Sequence, residues 1–171
     1  MVRRGNIMKR FERIVLRGFT AVIVIAFAVM ACPSDGWSRP TRCAAATPGQ
    51  IAALFVRWNA ALRTLDPDKV VKTYAPDAIL LPTVENGPLI GRDAIRGYFV
   101  HFLEKHPDGA IDTRTIRIGC NMAFDTGLYT FTVDGDQPGT RVPIRARYTY
   151  IYQRNGGRWL IAHHHSSAQP K

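Results

Sequence analysis

The sequence has little that points to a cofactor or a metal. Its three cysteines, Cys32, Cys43 and Cys120, do not follow any spacing that is typical of a zinc or redox motif. No dinucleotide or flavin fingerprint is present either. Two histidines on one strand would need a third metal ligand from another element, and the sequence marks none. We therefore expect no cofactor and no metal site.

The sequence also lacks the basic stripe with stacking aromatic residues that a nucleic-acid groove requires. The formal net charge is +10, but its distribution is uneven. Residues 1–31 hold six basic residues and one acid, Glu12, and so carry half of that charge. The basic residues there are Arg3, Arg4, Lys9, Arg10, Arg13 and Arg17. The rest is spread thinly, which argues against a nucleic-acid partner.

No uncharged apolar run is long enough to cross a membrane. The one in residues 19–31 falls short of the ~20 residues that a spanning helix needs, but it suits a signal peptide. We expect residues 1–31 to direct export, giving a periplasmic, secreted or lipid-anchored envelope protein. Cleavage after Ala31 and lipidation of Cys32 both remain open, and an uncleaved anchor is a third outcome. A membrane is expected as a partner only through this leader or that lipid.

Three is an odd number of cysteines, so at least one has no partner within the chain. If Cys32 carries a lipid, Cys43 and Cys120 could pair after export. Cys43 falls in a segment that reads as a flexible tether, however, and Cys120 falls in a predicted strand where a buried free thiol is common. We therefore predict no structural disulfide.

The globular domain is predicted to span residues 47–171, after a tether of residues 32–46. Thr47 and Gln50 form a capping-box pattern that starts a helix. An apolar stripe follows at three- and four-residue spacing: Ile51, Leu54, Phe55, Trp58, Leu62 and Leu65. A short helix after Asp66, a short strand over residues 78–82 and a third helix from Gly91 come next.

From residue 111 onward the apolar period changes to two, which predicts strands over residues 111–120, 122–133, 142–153 and 158–167. Helices first and long strands last indicate an α+β fold. We expect a cone-shaped, curved antiparallel sheet packed on the three N-terminal helices. Such a cone encloses a cavity, and cavity mouths are common ligand sites.

These features resemble the nuclear transport factor 2-like superfamily, whose fold is a cystatin-like cone. The most specific part is the ending Gly157-Arg158-Trp159-Leu160-Ile161-Ala162-His163-His164-His165-Ser166-Ser167. The sequence is similar to the bacterial SgcJ/EcaC group, which is related to the association domain of calcium/calmodulin-dependent protein kinase II. The resemblance implies a cone-shaped pocket and assembly as dimers or larger rings, but no single activity. Ser166 stands where the kinase domain has an arginine, so an anion pocket that uses that arginine is not expected here.

The last strand carries the candidate site. Strict alternation puts His163, His165 and Ser167 on the same face as Trp159 and Ile161, and His164 on the opposite face. We expect the first set to face the pocket. His163 or His165 could then act as a general acid or base. The alternative is that these histidines only form hydrogen bonds in a polar cavity or across a subunit contact.

The other candidate ligand contacts are Arg147, Tyr74, Trp58 and Ser167. Trp58 also reads as a core residue, and Tyr74 could equally cap the core. Three alternating tyrosines, Tyr148, Tyr150 and Tyr152, suggest an oligomer contact, because interfaces are enriched in aromatic residues.

Two functions follow from these observations. We expect an exported domain that binds a small organic ligand and associates with itself as a homo-oligomer. The alternative is an enzyme of the same fold, an isomerase, dehydratase or hydrolase, that uses a cavity histidine. The sequence does not decide between them.

Overall fold

The structure is a computed structural model that describes Cys43 and residues 45–170. The predicted leader over residues 1–31, the lipidation candidate Cys32 and most of the predicted tether lie outside the described residues. Within the described range, no helix combines the length and apolar character that crossing a membrane requires.

Three helices precede most of the sheet. The helices are α1 (Pro48–Leu62), α2 (Pro67–Val71) and α3 (Gly91–Phe102), and a 3₁₀ turn over Leu103–Lys105 follows α3. The strands are β1 (Tyr74–Leu81), β2 (Leu89–Ile90), β3 (Asp108–Ile118), β4 (Met122–Asp134), β5 (Arg141–Asn155) and β6 (Arg158–Ala168). The predicted α+β class is confirmed.

Side-chain caps define where the first two helices begin. The Thr47 Oγ1 atom accepts from the Gln50 amide at 3.2 Å, and the Gln50 side chain accepts from the Thr47 amide at 2.9 Å. This reciprocal pair satisfies two amides that would otherwise have no partner, and it confirms the predicted capping box. Asp66 caps α2 by accepting from the amide of Asp68 at 2.9 Å.

The six strands form one sheet in the order β2-β1-β6-β5-β4-β3. β3 to β6 make the expected antiparallel meander. In addition, β1 pairs with β6 in parallel. The connection from β1 to β6 runs through α3 and four intervening strands, β2 to β5, and is long enough to allow the parallel pairing.

The helices cover the inner face of the sheet, and Trp58 on α1 lies at the centre of the core. Its side chain is 1% exposed. The indole makes edge contacts with Phe99 on α3, Phe131 on β4 and Tyr150 on β5, at centroid distances of 6.3, 6.0 and 5.6 Å. Aromatic rings therefore join both helices to the sheet.

A disulfide joins Cys43 to Cys120. The expectation of no structural disulfide is wrong. Cys120 follows the end of β3 and is exposed, so it is not the buried strand thiol that the sequence suggested. The bond attaches the segment before α1 to the β3–β4 turn.

Candidate ligand site

A β-bulge decides which histidines face the interior. On β5, Ile151 pairs with His163 and the next residue, Tyr152, pairs with Ile161, so Ala162 is an extra residue on β6. An extra residue shifts the alternation by one. His164, not His163, therefore follows Ile161 on the inner face. His164 is 3% exposed and pairs with buried Tyr150.

The inner face of the sheet and α3 enclose a cavity of about 540 Å³. Most of its walls are aromatic or aliphatic, and its charged lining residues are exposed or half-buried. The main wall residues are Trp58, Leu80, Tyr98, Phe99, Phe102, Tyr129, Phe131, Val133, Val142, Ile144 and Ala146. His164 and Ser166 bring polar atoms of β6 to this apolar space.

His164 is held by a buried hydrogen-bond chain. The Trp58 Nε1 atom donates to the Tyr74 Oη atom at 3.1 Å, and that oxygen lies 2.9 Å from His164 Nδ1. The Tyr150 ring stacks on the imidazole with centroids 4.1 Å apart. The imidazole is thus fixed by one hydrogen bond and one stacked ring.

The same series of hydrogen bonds determines which nitrogen of His164 carries the proton. An indole nitrogen only donates, so the Tyr74 oxygen accepts from Trp58. The Tyr74 hydroxyl proton then has His164 Nδ1 as its acceptor, because the described residues offer it no other. A neutral imidazole carries one proton, which therefore resides on Nε2. His164 Nε2 is a donor without a partner in the described part of the chain.

Burial keeps this histidine neutral. Loss of hydration lowers the pKa of His164 to about 3, and the nearby His163 and His165 add to the effect. At neutral pH the side chain is therefore a weak base and a neutral hydrogen-bond donor.

Three hydroxyls form the second polar group of the cavity. The Tyr129 hydroxyl donates to Ser166 Oγ at 2.6 Å, and Ser166 Oγ lies 2.7 Å from Thr83 Oγ1. Because Ser166 accepts from Tyr129, it can donate to Thr83. Burial raises the pKa of Tyr129, so its hydroxyl stays protonated.

The predicted site residues are divided between the two sides of the sheet. The expectation that His163, His165 and Ser167 face the pocket is wrong, because the bulge places them on the outer face. Their partners there are Ile151, Thr149 and Arg147.

The prediction that Arg147 contacts a ligand in the pocket is also wrong. It is exposed on the outer face and donates to the Ala168 carbonyl at 3.2 Å. Trp58 does line the cavity. Tyr74 is buried behind His164 and supports it without lining the cavity itself.

The interpretation of Tyr148, Tyr150 and Tyr152 as an oligomer contact is wrong as well. They share a face, as predicted, but it is the inner one, and each is at most 2% exposed. Tyr148 donates to Asp125 at 2.8 Å, and this buried carboxylate lies 3.0 Å from Arg114 Nη2. Burial raises the pKa of Asp125 against the opposing effects of Tyr148 and Arg114.

No carboxylate contacts His164 among the described residues. Two other histidines lie near carboxylates: His106 Nδ1 is 2.6 Å from Asp134 Oδ2, and His101 Nδ1, on an exposed residue that lines the cavity, is 3.6 Å from Glu104 Oε1. Asp134 lines the cavity, but His106 does not. Arg141 binds the same carboxylate, so the group connects the end of α3 to the β4–β5 hairpin. Within the described range, no three His, Cys, Asp or Glu side chains come together as a metal site.

Sequence reasoning missed His164, Ser166, Tyr129 and Thr83. One signal was available for the first two. Leu160, Ile161 and Ala162 are three consecutive apolar residues, which break the period of two. The alternation therefore does not determine which of the side chains after them face the interior. Tyr129 and Thr83 carried no distinguishing pattern.

Comparison with known proteins places this fold in a family. The sequence profile of the calcium/calmodulin dependent protein kinase II association domain matches residues 48–170. A search of the curated proteins finds no match. A solved structure from Xanthomonas campestris, assigned as such an association domain, is 46% identical, with a TM-score of 0.69 over 77% of this chain and 97% of that one.

More distant structures share the fold alone. One is a protein of the NTF2-like family from Streptomyces avermitilis, assigned as a dehydratase, with 13% identity and a TM-score of 0.64 over 72% of this chain and 96% of that one. Another is a ketosteroid isomerase-like protein from Erwinia carotovora atroseptica, with 18% identity and a TM-score of 0.59 over 71% and 95% of the two chains. The profile match covers most of the chain, and the chain therefore belongs to the calcium/calmodulin-dependent protein kinase II association domain family.

Proposed function

We propose that this protein is an exported domain that binds a small organic molecule in the cavity and associates with copies of itself. The observation that carries the binding function is the unpartnered donor Nε2 of His164, a residue that lines a mostly apolar cavity. A buried donor without an acceptor costs free energy, and a ligand acceptor would recover it.

The lining selects the class of ligand. Aromatic and aliphatic walls favour an apolar body, and neutral donors favour an acceptor such as a carbonyl group. His164 remains neutral at physiological pH because burial lowers its pKa to about 3. The ligand is therefore an uncharged, largely apolar molecule that carries a hydrogen-bond acceptor.

Binding fits these residues better than acid–base catalysis. A histidine with such a low pKa is a poor proton acceptor at neutral pH. Its Nδ1 atom is also occupied by the Tyr74 hydroxyl, and no carboxylate orients it within the described residues. The enzyme alternative has no observation of its own in its favour.

Two probes that differ in one acceptor test the cavity. We expect 2-acetylnaphthalene to bind about threefold to tenfold more tightly than 2-ethylnaphthalene, since one neutral hydrogen bond contributes this much. His164→Phe should remove the difference, while Ser167→Ala on the outer face should keep it. Calorimetric titration measures the affinity of each probe for the wild type and for both variants. Failure of both probes to bind, or a ketone preference that survives in His164→Phe, would contradict the proposal.

The outer face of the sheet is the proposed surface for self-association. One row across it contains Ile79, His163, Ile151 and Phe124, which are paired from strand to strand. Ile79 is 37% exposed and Phe124 is 40% exposed. Three of the four residues are apolar, and exposed apolar side chains close to one another favour contact with another protein surface. Membership of an association-domain family supports a second copy as the partner.

Phe124→Glu tests this surface. A charge within this apolar row should weaken the oligomer by more than about tenfold, because a few aromatic residues often dominate interface energy. Val56→Glu is the matched control, since Val56 is 60% exposed on α1, away from the sheet. Sedimentation velocity should show an oligomer for the wild type and the control, and a monomer for Phe124→Glu. A wild-type protein that is monomeric at tens of micromolar would contradict the proposal of self-association.

Export rests on two observations. The basic and apolar pattern of residues 1–31 is typical of a signal peptide. The Cys43–Cys120 disulfide adds support, because structural disulfides persist mainly in oxidising compartments. A lipid on Cys32 would keep the protein in the cell envelope, and cleavage without lipidation would release it.

A further inference from the structure

A second cleft, of about 360 Å³, shares no lining residue with the cavity. It lies between α1, the junction of α2 with β1, and the β5–β6 hairpin. Its lining includes Arg57, Lys72, Tyr152, Arg158 and Trp159.

All the charged residues that line this cleft are basic. Arg57, Lys72 and Arg158 line it, and no acidic residue does. None of the three forms an ion pair within the described part of the chain. Other arginines of the domain do form ion pairs, as in Arg63–Asp108, Arg96–Asp68, Arg114–Asp125 and Arg141–Asp134. Three like charges around one cleft repel each other, and an anion would offset that repulsion.

Two uncharged donors lie at the same place. Tyr152 is fully buried, and its hydroxyl has no hydrogen-bond partner among the described residues. Burial raises the pKa of Tyr152, so the hydroxyl remains a donor. Trp159 also lines the cleft; its side chain is half-buried and carries an indole N–H donor. An anion accepts hydrogen bonds, so these donors suit the same ligand as the cations.

The hairpin fixes the position of Arg158. Asn155 pairs with Arg158 across a two-residue turn, and Gly156 and Gly157 have φ angles of 52° and 83°. This turn needs left-handed backbone at both positions, which glycine adopts at little cost. Arg158 therefore begins β6 at a defined position beside α1.

We propose that this cleft binds a phosphate group, with Arg57 and Arg158 as forked donors and Lys72 as a point charge. Guanidinium groups match the geometry of phosphate oxygens, and an ammonium group adds charge without that geometry. The phosphate can belong to a soluble molecule or to an anionic lipid headgroup. Both sources offer the same chemistry to the three side chains.

Inorganic phosphate is the first probe, and ³¹P line broadening at constant ionic strength is the measurement. We expect saturable binding that Arg57→Gln/Arg158→Gln weakens by at least about tenfold, the loss expected for charge-assisted hydrogen bonds. Arg154→Gln is the matched control, because it removes a charge from the same hairpin without altering the cleft. It should bind phosphate like the wild type.

Vesicles distinguish the two sources. Cosedimentation with phosphatidylglycerol but not phosphatidylcholine, lost in the double variant, would assign the phosphate to a lipid. Saturable binding of inorganic phosphate without any vesicle preference would assign it to a soluble molecule. The proposal is overturned if neither probe binds, or if the double variant binds as the wild type does. Binding of 2-acetylnaphthalene should be the same in all these variants, so the two sites are tested separately.

Discussion

The free energy of unfolding of the wild-type domain should fall by about 2 kcal/mol between pH 6.5 and pH 4.5, and His164→Phe should remove most of that fall. His164 has an ordinary pKa of 6.5 and a folded-state pKa of about 3, lowered by burial. Between these values the unfolded state binds a proton that the folded state does not. Stability is therefore complete above pH 6.5 and is lost progressively as the pH falls. Urea unfolding at several pH values measures the slope.

His163→Phe is the matched control for this experiment. Partial burial also lowers the pKa of His163, but this residue lies on the outer face and is half-buried. Its replacement should therefore reduce the slope less. The absolute stability of His164→Phe at pH 7 is not the readout, because losing the imidazole also leaves the Tyr74 hydroxyl without its acceptor. An unchanged slope in His164→Phe would contradict the assignment of His164 as the buried neutral group.

Reduction of the Cys43–Cys120 disulfide should lower the free energy of unfolding by up to about 4 kcal/mol. The two cysteines are 77 residues apart, so the bond closes a long loop in the unfolded chain. Closing such a loop lowers the entropy of the unfolded state, and the effect grows with the length of the loop. Urea denaturation with and without dithiothreitol gives the difference directly.

A double variant, Cys43→Ser/Cys120→Ser, separates the bond from side effects of the reductant. It should match the reduced wild type and should not respond to dithiothreitol. Equal urea midpoints for the oxidised and reduced wild type would show that the bond adds no stability.

Local patterns were sufficient for most of the architecture. The Thr47–Gln50 capping box, the apolar stripe of α1 and the change of period near residue 111 depend on neighbouring residues only. They identified α1, α3 and the four long strands near their observed bounds. The short strand predicted over residues 78–82 begins earlier, at Tyr74, because that residue pairs with Ile161 of a strand that comes late in the chain.

The candidate site could not be predicted in the same way, because it depends on long-range pairing. Alternation correctly grouped Tyr148, Tyr150 and Tyr152, but period two carries no information about which group is buried. Their aromatic character suggested an interface, whereas their rings pack against Phe55, Trp58 and one another. The phase of β6 likewise depends on its register with β5. The disulfide depends on where the chain before α1 passes the β3–β4 turn.

The extra residue at Ala162 also has an evolutionary meaning. Side chains alternate along a strand, so a chain that lacked this one codon would turn His163 and His165 into the cavity and His164 out of it. The composition of the surrounding strand would hardly change. Relatives that differ in length by one residue here would therefore present different chemistry to a ligand, even where their histidine-rich endings read almost identically. Alignments of this segment need to follow strand register as well as letter identity.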